Sequence, residues 1–287
     1  MSLAALLDRT EASFTEAGIE TPRVDAELLA AWMLGISRGE LQSALITDSV
    51  AFDEAQTLQY ESLAARRAAR EPLQHLTGVA HFRNITLEVG KGVFVPRPET
   101  EWVTGLAIDA VKACATAEPI VFDLCAGSGA IGLAIATEVP NARVIGVEKS
   151  ADAFGYTSRN YEKHAPTNGR AILADVADTP HDLDGQVDVV ISNPPYIPAQ
   201  MIPIYPEVAL HDPGLALYGG EDGLDVVRVV ADVAARLLHP GGTLIIEHAD
   251  MQGEAVRHLL LDKGWTQVRT HQDFNSRDRS VSAIRSH

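Results

Sequence analysis

Positive charge is scarce in this sequence. Lysine and arginine number 23 against 39 aspartates and glutamates, a formal charge of -16. A broad contact with a phosphate backbone would work against repulsion from the whole molecule, so no stable nucleic-acid partner is expected. Cysteine is scarcer still. Cys114 and Cys125 are the only 2, without the paired spacing of a metal ligand set, and the start of the chain lacks the basic stretch and apolar run of a secretory leader. The expectation is two reduced thiols in a cytoplasmic protein. Charged residues interrupt every apolar run before the roughly 18 residues of a membrane span, so no membrane contact is expected. The histidines are scattered without H-E-x-x-H or Cys-pair spacing, so no metal is expected either.

What is present is a core. At 287 residues and 46% hydrophobic content the chain can fill one large domain or two modest ones. From Leu3 to about Arg70 apolar residues recur at helical spacing, as in Val24, Leu28, Leu29 and Trp32, with Gly18 and Gly35 as punctuation. Thr21-Pro22 has the form of an N-cap followed by proline at the first helical position. The run AARRAAR at 64–70 reads as a solvated helix face or a surface for an acidic partner. After Gly78 the pattern alternates in VAHFRNITLEV and GVFVP, separated by Gly90-Lys91-Gly92, which suggests a hairpin or paired strands. Beyond Pro98 helices and strands take turns, with strands PIVFDL, ARVIGVE, RAILAD, VDVVIS and TLIIEH and two closing strands near TQVRTH and SVSAIR. Crossovers of this kind imply an α/β fold with a mostly parallel sheet, the last two strands pairing antiparallel. The expected division is a helical domain over 1–76, a hairpin linker over 77–95 and an α/β domain over 96–287.

DLCAGSGAIGLA follows a strand and opens a helix, and Gly127, Gly129 and Gly132 satisfy G-x-G-x-x-G. Such a loop admits close approach of a ligand to a helix N-terminus. Glu148 ends the next strand, where a carboxylate can accept both hydroxyls of a ribose. The plain alternative is helix–strand packing with a solvated acid. Two cofactors use this arrangement: a nicotinamide dinucleotide, which needs its pyrophosphate held, and S-adenosylmethionine, which has none. For the second, Asp123 and the backbone around Gly127 would take the amino-acid tail and Asp175 the adenine amino group.

SNPPY, Ser192 to Tyr196, ends a fourth strand on the same edge. Alone it reads as a stiff turn. Beside an electrophilic methyl it reads as an orienting slot for a planar amino group: Asn193 Oδ1 and the Pro194 carbonyl accept its two N–H bonds, proline stiffens the loop, and Tyr196 covers the flat group. Positive charge moves towards nitrogen during transfer, so acceptor dipoles there favour the transition state.

FVPRPETE, DLCAGSGAIGLA, SNPPY and ALYGGEDGLDVVR, in this order after a helical segment containing REPLQHLTG, resemble the protein-glutamine methyltransferases of the PrmC family, formerly HemK. The resemblance covers nearly the whole chain. It implies a Rossmann-like class I methyltransferase domain with a seven-stranded, mostly parallel sheet, and a small all-helical N-terminal domain that engages the substrate. It implies S-adenosyl-L-methionine as cofactor, S-adenosyl-L-homocysteine as product, and peptide-chain release factors as partners, methylated on the glutamine amide of a Gly-Gly-Gln tip. By motif position Asn193 and Pro194 hold that amide and Pro195 and Tyr196 shape the slot. Cys125, Ala126, Gly127, Ser128, Gly129, Glu148, Lys149, Asp175, Val176 and Asn193 line the cofactor, with Phe94 and Arg97 of FVPRPETE against it. Three positions depart from the commoner pattern: Cys125 for glycine, Glu148 for aspartate, and Val176 where some relatives carry an aromatic residue. The rivals are an amino-group methyltransferase acting on an extruded base in DNA or RNA, an NAD-dependent oxidoreductase, and a noncatalytic factor-binding module. The oligomeric state is open, with a monomer favoured.

Overall fold

A computed structural model describes residues 2–286. It divides into two compact units, one running to Val79 and including Pro203–His211, the other comprising Ala80–Ile202 and the chain from Asp212 onward.

The first unit contains helices α1 (Leu3–Glu16), α2 (Pro22–Leu34), α3 (Arg38–Ile46), α4 (Glu54–Ala68) and α5 (Leu73–Thr77). Their starts follow from local chemistry. Ser37 with Glu40 and Asp53 with Gln56 form capping boxes that satisfy the first backbone N–H groups of α3 and α4. Pro22 opens α2 as expected, but the Thr21 hydroxyl donates to Asp25 Oδ1 at 2.8 Å instead of capping the backbone. Leu7, Phe14, Leu29, Leu41 and Tyr60 are wholly buried between these helices.

The AARRAAR run is not a solvated face. Arg67 is 7% exposed and pairs with the buried Asp25 at 2.8 Å and with Glu207 at 2.9 Å. Arg70 holds the other Glu207 oxygen at 2.6 Å and donates to the carbonyls of Ala17 and Gly18. Helix periodicity turns Arg67 inward, and Arg70, just past the end of α4 at φ 72, joins it there, where planar guanidinium forks match carboxylates. Arg66 alone stays largely outside, paired with Glu71.

In the second unit β1 (Val79–Phe82) and β2 (Ile85–Glu88) form a two-stranded sheet. Its turn is at Arg83, φ 49, not at the Gly90–Gly92 stretch, and GVFVP forms no strand. Nor is the hairpin a linker. Ala80, Phe82, Ile85 and Leu87 are buried in one core cluster with Val103 and Leu133, so the α/β unit begins near Ala80 rather than at residue 96.

Then follow α6 (Pro98–Lys112), β3 (Ile120–Leu124), α7 (Ala130–Glu138), β4 (Arg143–Glu148), α8 (Ala151–His164), β5 (Gly169–Leu173), β6 (Val187–Ser192), α9 (Pro206–His211), which belongs to the first unit, α10 (Gly214–Leu217), α11 (Asp225–Leu237), β7 (Leu238–Glu247), α12 (Gly253–Asp262), β8 (Thr266–Gln272) and β9 (Asp278–Ile284). The 7-stranded sheet has the order β5-β4-β3-β6-β7-β9-β8, with β3 parallel to both β4 and β6, and β9 antiparallel to both neighbours. Alternate residues serve opposite faces. Val121, Val189 and Ile245 enter one core cluster, and Phe122, Val190 and Leu244 the other, which is why these strands read as unbroken apolar runs.

Strand order reverses between β3 and β6, the position at which open α/β sheets leave a crevice at the carboxyl ends of their strands. Leu124 pairs with Ser192 and Ser192 with Ile246 across β3, β6 and β7. The residues one step further, Cys125, Asn193 and Glu247, therefore leave three adjacent strands at the same level.

Replacing Arg67 by alanine strands the buried Asp25 carboxylate, and a loss of about 3–5 kcal/mol is expected for such a break. Chemical denaturation measures it; a loss below about 1 kcal/mol, the range of an exposed ion pair, would contradict the buried network.

Candidate active site

The loop after β3 is shaped by three residues in the left-handed region, Cys125 at φ 66, Gly127 at φ 58 and Gly129 at φ 84. Cys125 thus stands where glycine would be unstrained, a cost on the order of 1 kcal/mol. Burial and the neighbouring Glu148 charge push its thiol up, so it stays protonated. A side chain at Gly127 would meet nothing within 4 Å. The loop faces open space there.

Glu148, at the end of β4, turns back to that loop. Its two oxygens accept from Gly127 N and Ser150 N, each at 2.7 Å, while burial raises its pKa. The glutamate's extra methylene spans from β4 to the loop. Lys149 pairs with Asp175 at 2.7 Å, and Asp175 also caps the short 3₁₀ turn at Val176–Asp178 through Ala177 N. The Lys149 ammonium and this backbone bond hold the Asp175 carboxyl below its usual range. Val176 is buried in the core cluster of Phe122 and Leu124, so its side chain forms no cover for a ligand.

Asp123 departs from the expectation of a ligand-facing acid. It is 0% exposed, and its Oδ2 accepts from Gly132 N at 2.9 Å, which ties the first turn of α7 to β3. Burial pushes its carboxyl up to about 7. Ser128 and Gly129 are buried within the loop, with Ser128 O receiving the Asn160 amide at 3.0 Å. Ala126 is buried too, its N–H bonded to Val147 O at 2.9 Å.

This edge is rich in carboxylate acceptors, with Glu148, Asp175 and Glu247 at strand ends. A loop N–H that a pyrophosphate would need, Gly127 N, already serves Glu148, and the one lysine present is neutralised by Asp175. Hydroxyl and amino groups fit such a set of carboxylates better than a dinucleotide phosphate, which the carboxylates would repel. The open face of Gly127 beside a buried carboxylate therefore suits an adenosine carrying a ribose diol and an amino-acid tail.

Across from the loop, Ser192 Oγ donates to Leu124 O at 2.6 Å and binds the two strand ends together. Asn193 Nδ2 donates to Thr100 Oγ1 at 3.3 Å, and Thr100 Oγ1 donates to Glu247 Oε1 at 3.2 Å. Pro194 is buried, and among the described residues no hydrogen bond reaches its carbonyl. The Tyr196 phenol is pushed up by burial and by the charge of Glu247. Arg97 lies over the Phe94 ring, 4.9 Å from its centre, and reaches Asp212 at 2.8 Å, so these two FVPRPETE residues act on each other and on the loop before α10.

The YGGEDG segment holds SNPPY from outside. Ile197 N donates to Leu217 O and Gly219 N to Ile197 O, at 2.8 and 2.9 Å. Gln252 Nε2 donates to Tyr196 O at 2.9 Å. Gly223 has φ 77, and a Cβ there would lie 2.3 Å from Tyr196 O, so only glycine lets the two backbones approach.

Comparison with known proteins agrees with this architecture. The PrmC N-terminal domain model matches residues 5–78 and the methyltransferase small domain model residues 87–202. A release factor glutamine methyltransferase from Streptomyces coelicolor is 50% identical over 272 residues, covering 93% of this chain and 92% of the relative. The chain belongs to the release factor glutamine methyltransferase family. Another relative, from Streptomyces pristinaespiralis, is 37% identical over 100% of this chain and 96% of its own, and is named a 4-amino-L-phenylalanine/4-methylamino-L-phenylalanine methyltransferase. Among solved structures, a T. thermophilus 16S rRNA N2 G1207 methyltransferase in complex with AdoMet and guanosine superposes with a TM-score of 0.55 at 21% identity, over 72% of this chain and 49% of that one. The α/β unit is a class I methyltransferase fold, and the family's cofactor is S-adenosylmethionine. No helix among the described residues is long and apolar enough to cross a membrane.

Thr100, Glu247, Gly223 and Gln252 were missed as site residues by the sequence reading. Glu247 carried a signal, an acid ending the apolar strand TLIIE on the edge where Glu148 and Asp175 also lie. Thr100 lay within the FVPRPETE block with no role assigned to it and Gln252 carried no signal, because their roles depend on contacts 93 and 56 residues away in sequence.

Two outcomes follow. Asp123, with its pKa raised by burial from 3.8 to about 7, contributes stability that is full below about pH 4 and lost as pH rises through 7. Asp123→Asn keeps an acceptor for Gly132 N and cannot ionise. It should raise the melting temperature at pH 8 by about 2–4 °C or more and change it less at pH 4; an equal change at both pH values would contradict the buried acid. Gly223→Ala should lower methyl transfer by about 10–100-fold through displacement of the slot, with cofactor affinity retained by calorimetry. Parental turnover would show that the slot does not depend on this approach.

Proposed function

We propose that this protein methylates the side-chain amide nitrogen of the glutamine in the Gly-Gly-Gln tip of a peptide-chain release factor, acting in the cytoplasm. The observation that carries the reading is the common level of Cys125, Asn193 and Glu247 on adjacent strands, which sets the glycine loop beside an asparagine whose nitrogen is already engaged.

S-adenosylmethionine, when bound, supplies an electrophilic methyl group on a sulfonium. Glu148 would hold the ribose hydroxyls, and the backbone at Gly127 would border the amino-acid tail. Asp175, already bonded to Lys149, would meet the adenine edge only by sharing that partner. Phe94 and Arg97 would close the side formed by FVPRPETE. Asp123 acts one layer below, holding the helix that the loop opens.

The amide nitrogen of glutamine is a poor nucleophile because its lone pair is delocalised into the carbonyl. Asn193 Oδ1 and the Pro194 carbonyl accept its two N–H bonds, fix its plane, and favour the positive charge that develops on nitrogen. Alignment is the main contribution. Pro195 keeps the loop stiff and Tyr196 stacks over the flat group. The relative named for 4-aminophenylalanine supports the same logic, since an aryl amine is likewise a planar nitrogen with a delocalised lone pair. It also makes the substrate a matter for direct assay.

Incubation of a release factor with the protein and cofactor, followed by mass spectrometry, should place one methyl group on a single glutamine. Asn193→Ala should nearly abolish that product while leaving cofactor affinity within severalfold. Label entering only 4-aminophenylalanine, DNA or rRNA, or parental turnover by Asn193→Ala, would overturn the reading.

A further inference from the structure

An asparagine side chain can sit in one pocket in two orientations that differ little in shape and are opposite in chemistry. With oxygen towards the substrate it accepts an amide N–H; with nitrogen towards the substrate it opposes donor to donor. The slot works only if something outside it makes the choice.

Thr100 and Glu247 are placed to make it. Thr100 lies in the first turn of α6, 3% exposed, and Glu247 ends β7, 2% exposed. The threonine hydroxyl has one proton and two partners: Asn193 Nδ2 at 3.3 Å and Glu247 Oε1 at 3.2 Å. An ionised carboxylate only accepts, so the hydroxyl proton points to Glu247 and the hydroxyl lone pairs face Asn193. They can take only an N–H. The Asn193 nitrogen is thereby held on the side of Thr100 and its oxygen is turned the other way. Packing alone gives no reason for an acid here, because Glu247 Oε2 is buried without a partner, a costly state for a group kept only for stability.

We propose that Thr100 and Glu247 are positioning residues for the transfer, a two-step hydrogen-bond relay that fixes which end of the Asn193 amide meets the substrate nitrogen. The proposal rests on the reading of Asn193 as the amide acceptor and adds to it the device that sets its polarity.

The relay has a protonation state. Burial pushes the Glu247 carboxyl up to about 7, opposed by the Thr100 hydrogen bond, the Arg279 charge on β9 and the nearby Asn193 amide, and assisted by Glu99 on α6. Tyr196, from the loop after β6, also lies in its field, and its phenol stays neutral. His248, the next residue, is held neutral by burial with Nδ1 against Ala249 O at 2.7 Å. Above about pH 7 Glu247 is an acceptor only and the relay runs one way. Below it, a protonated Glu247 can donate to Thr100, releasing the hydroxyl proton towards Asn193 and weakening the choice of orientation.

The test compares Thr100→Val, Thr100→Ser, Glu247→Gln and Asn193→Ala in the full chain, with a release factor as substrate. Thr100→Val should lower kcat by about tenfold or more, with KM and calorimetric cofactor affinity changed less than about twofold. Thr100→Ser, which keeps the hydroxyl, should recover most of the loss. In the parent kcat should rise with pH through about 7, and that limb should vanish in Glu247→Gln, which retains His248. Without substrate, the side-chain amide resonances of Asn193 in a nitrogen-15 spectrum should move and exchange faster in Thr100→Val than in Thr100→Ser. Parental kcat in Thr100→Val, a serine variant as impaired as the valine one, or an intact pH limb in Glu247→Gln would each overturn the relay. Asn193→Ala separates the two claims: inactive beside a normal Thr100→Val, it removes the relay alone; active, it removes the amide reading as well.

Discussion

Parallel pairing of the three central strands is the constraint on which the site depends. Leu124, Ser192 and Ile246 are in register, with β3 and β6 ending there and β7 one residue later, so the glycine loop, SNPPY and Glu247 come to the sheet edge side by side. A side-chain period of two makes a slip by one residue turn every side chain to the opposite face. Both faces here are packed with apolar side chains, and the register is correspondingly firm. The Ser192 hydroxyl bonded to Leu124 O fastens the junction between the loop and the slot at a single point.

Above that row the chemistry is one of acceptors whose direction is set by what lies behind them. Glu148 holds the loop N–H and Ser150 N, Asp123 holds Gly132 N from below, and Glu247 sits behind Thr100 and Asn193. Three buried carboxylates in a small volume are costly, and burial raises the pKa of each. The cost is borne at the place where positive charge must be received, which is where acceptor dipoles lower a transfer barrier. The backbone of YGGEDG, meeting Tyr196 through Gly223, supplies the rigidity that these dipoles need.

Much of this was legible in the sequence because it is local or periodic. The strand-loop-helix around Gly127, the acid ending β4, the antiparallel closing pair and the SNPPY turn all announce themselves within a dozen residues. What was not legible depends on distant partners. The inward turn of Arg67 requires Asp25 and Glu207, the latter 140 residues away. Asp123 reads like any acid at a strand end, and only the position of the Gly132 N–H shows that it faces inward. Alternation in VAHFRNITLEV gave the two strands, yet the turn settled on Arg83 rather than on the glycines that follow, because Leu87 and Val89 both belong to the core beyond it.

The most direct measurement of the central claim is a structure of the full chain with S-adenosylhomocysteine and a Gly-Gly-Gln peptide. The account predicts that the glutamine amide nitrogen donates to Asn193 Oδ1 and to the Pro194 carbonyl, with Asn193 Nδ2 still on Thr100. A glutamine amide bound elsewhere, or an Asn193 nitrogen turned towards the substrate, would contradict it.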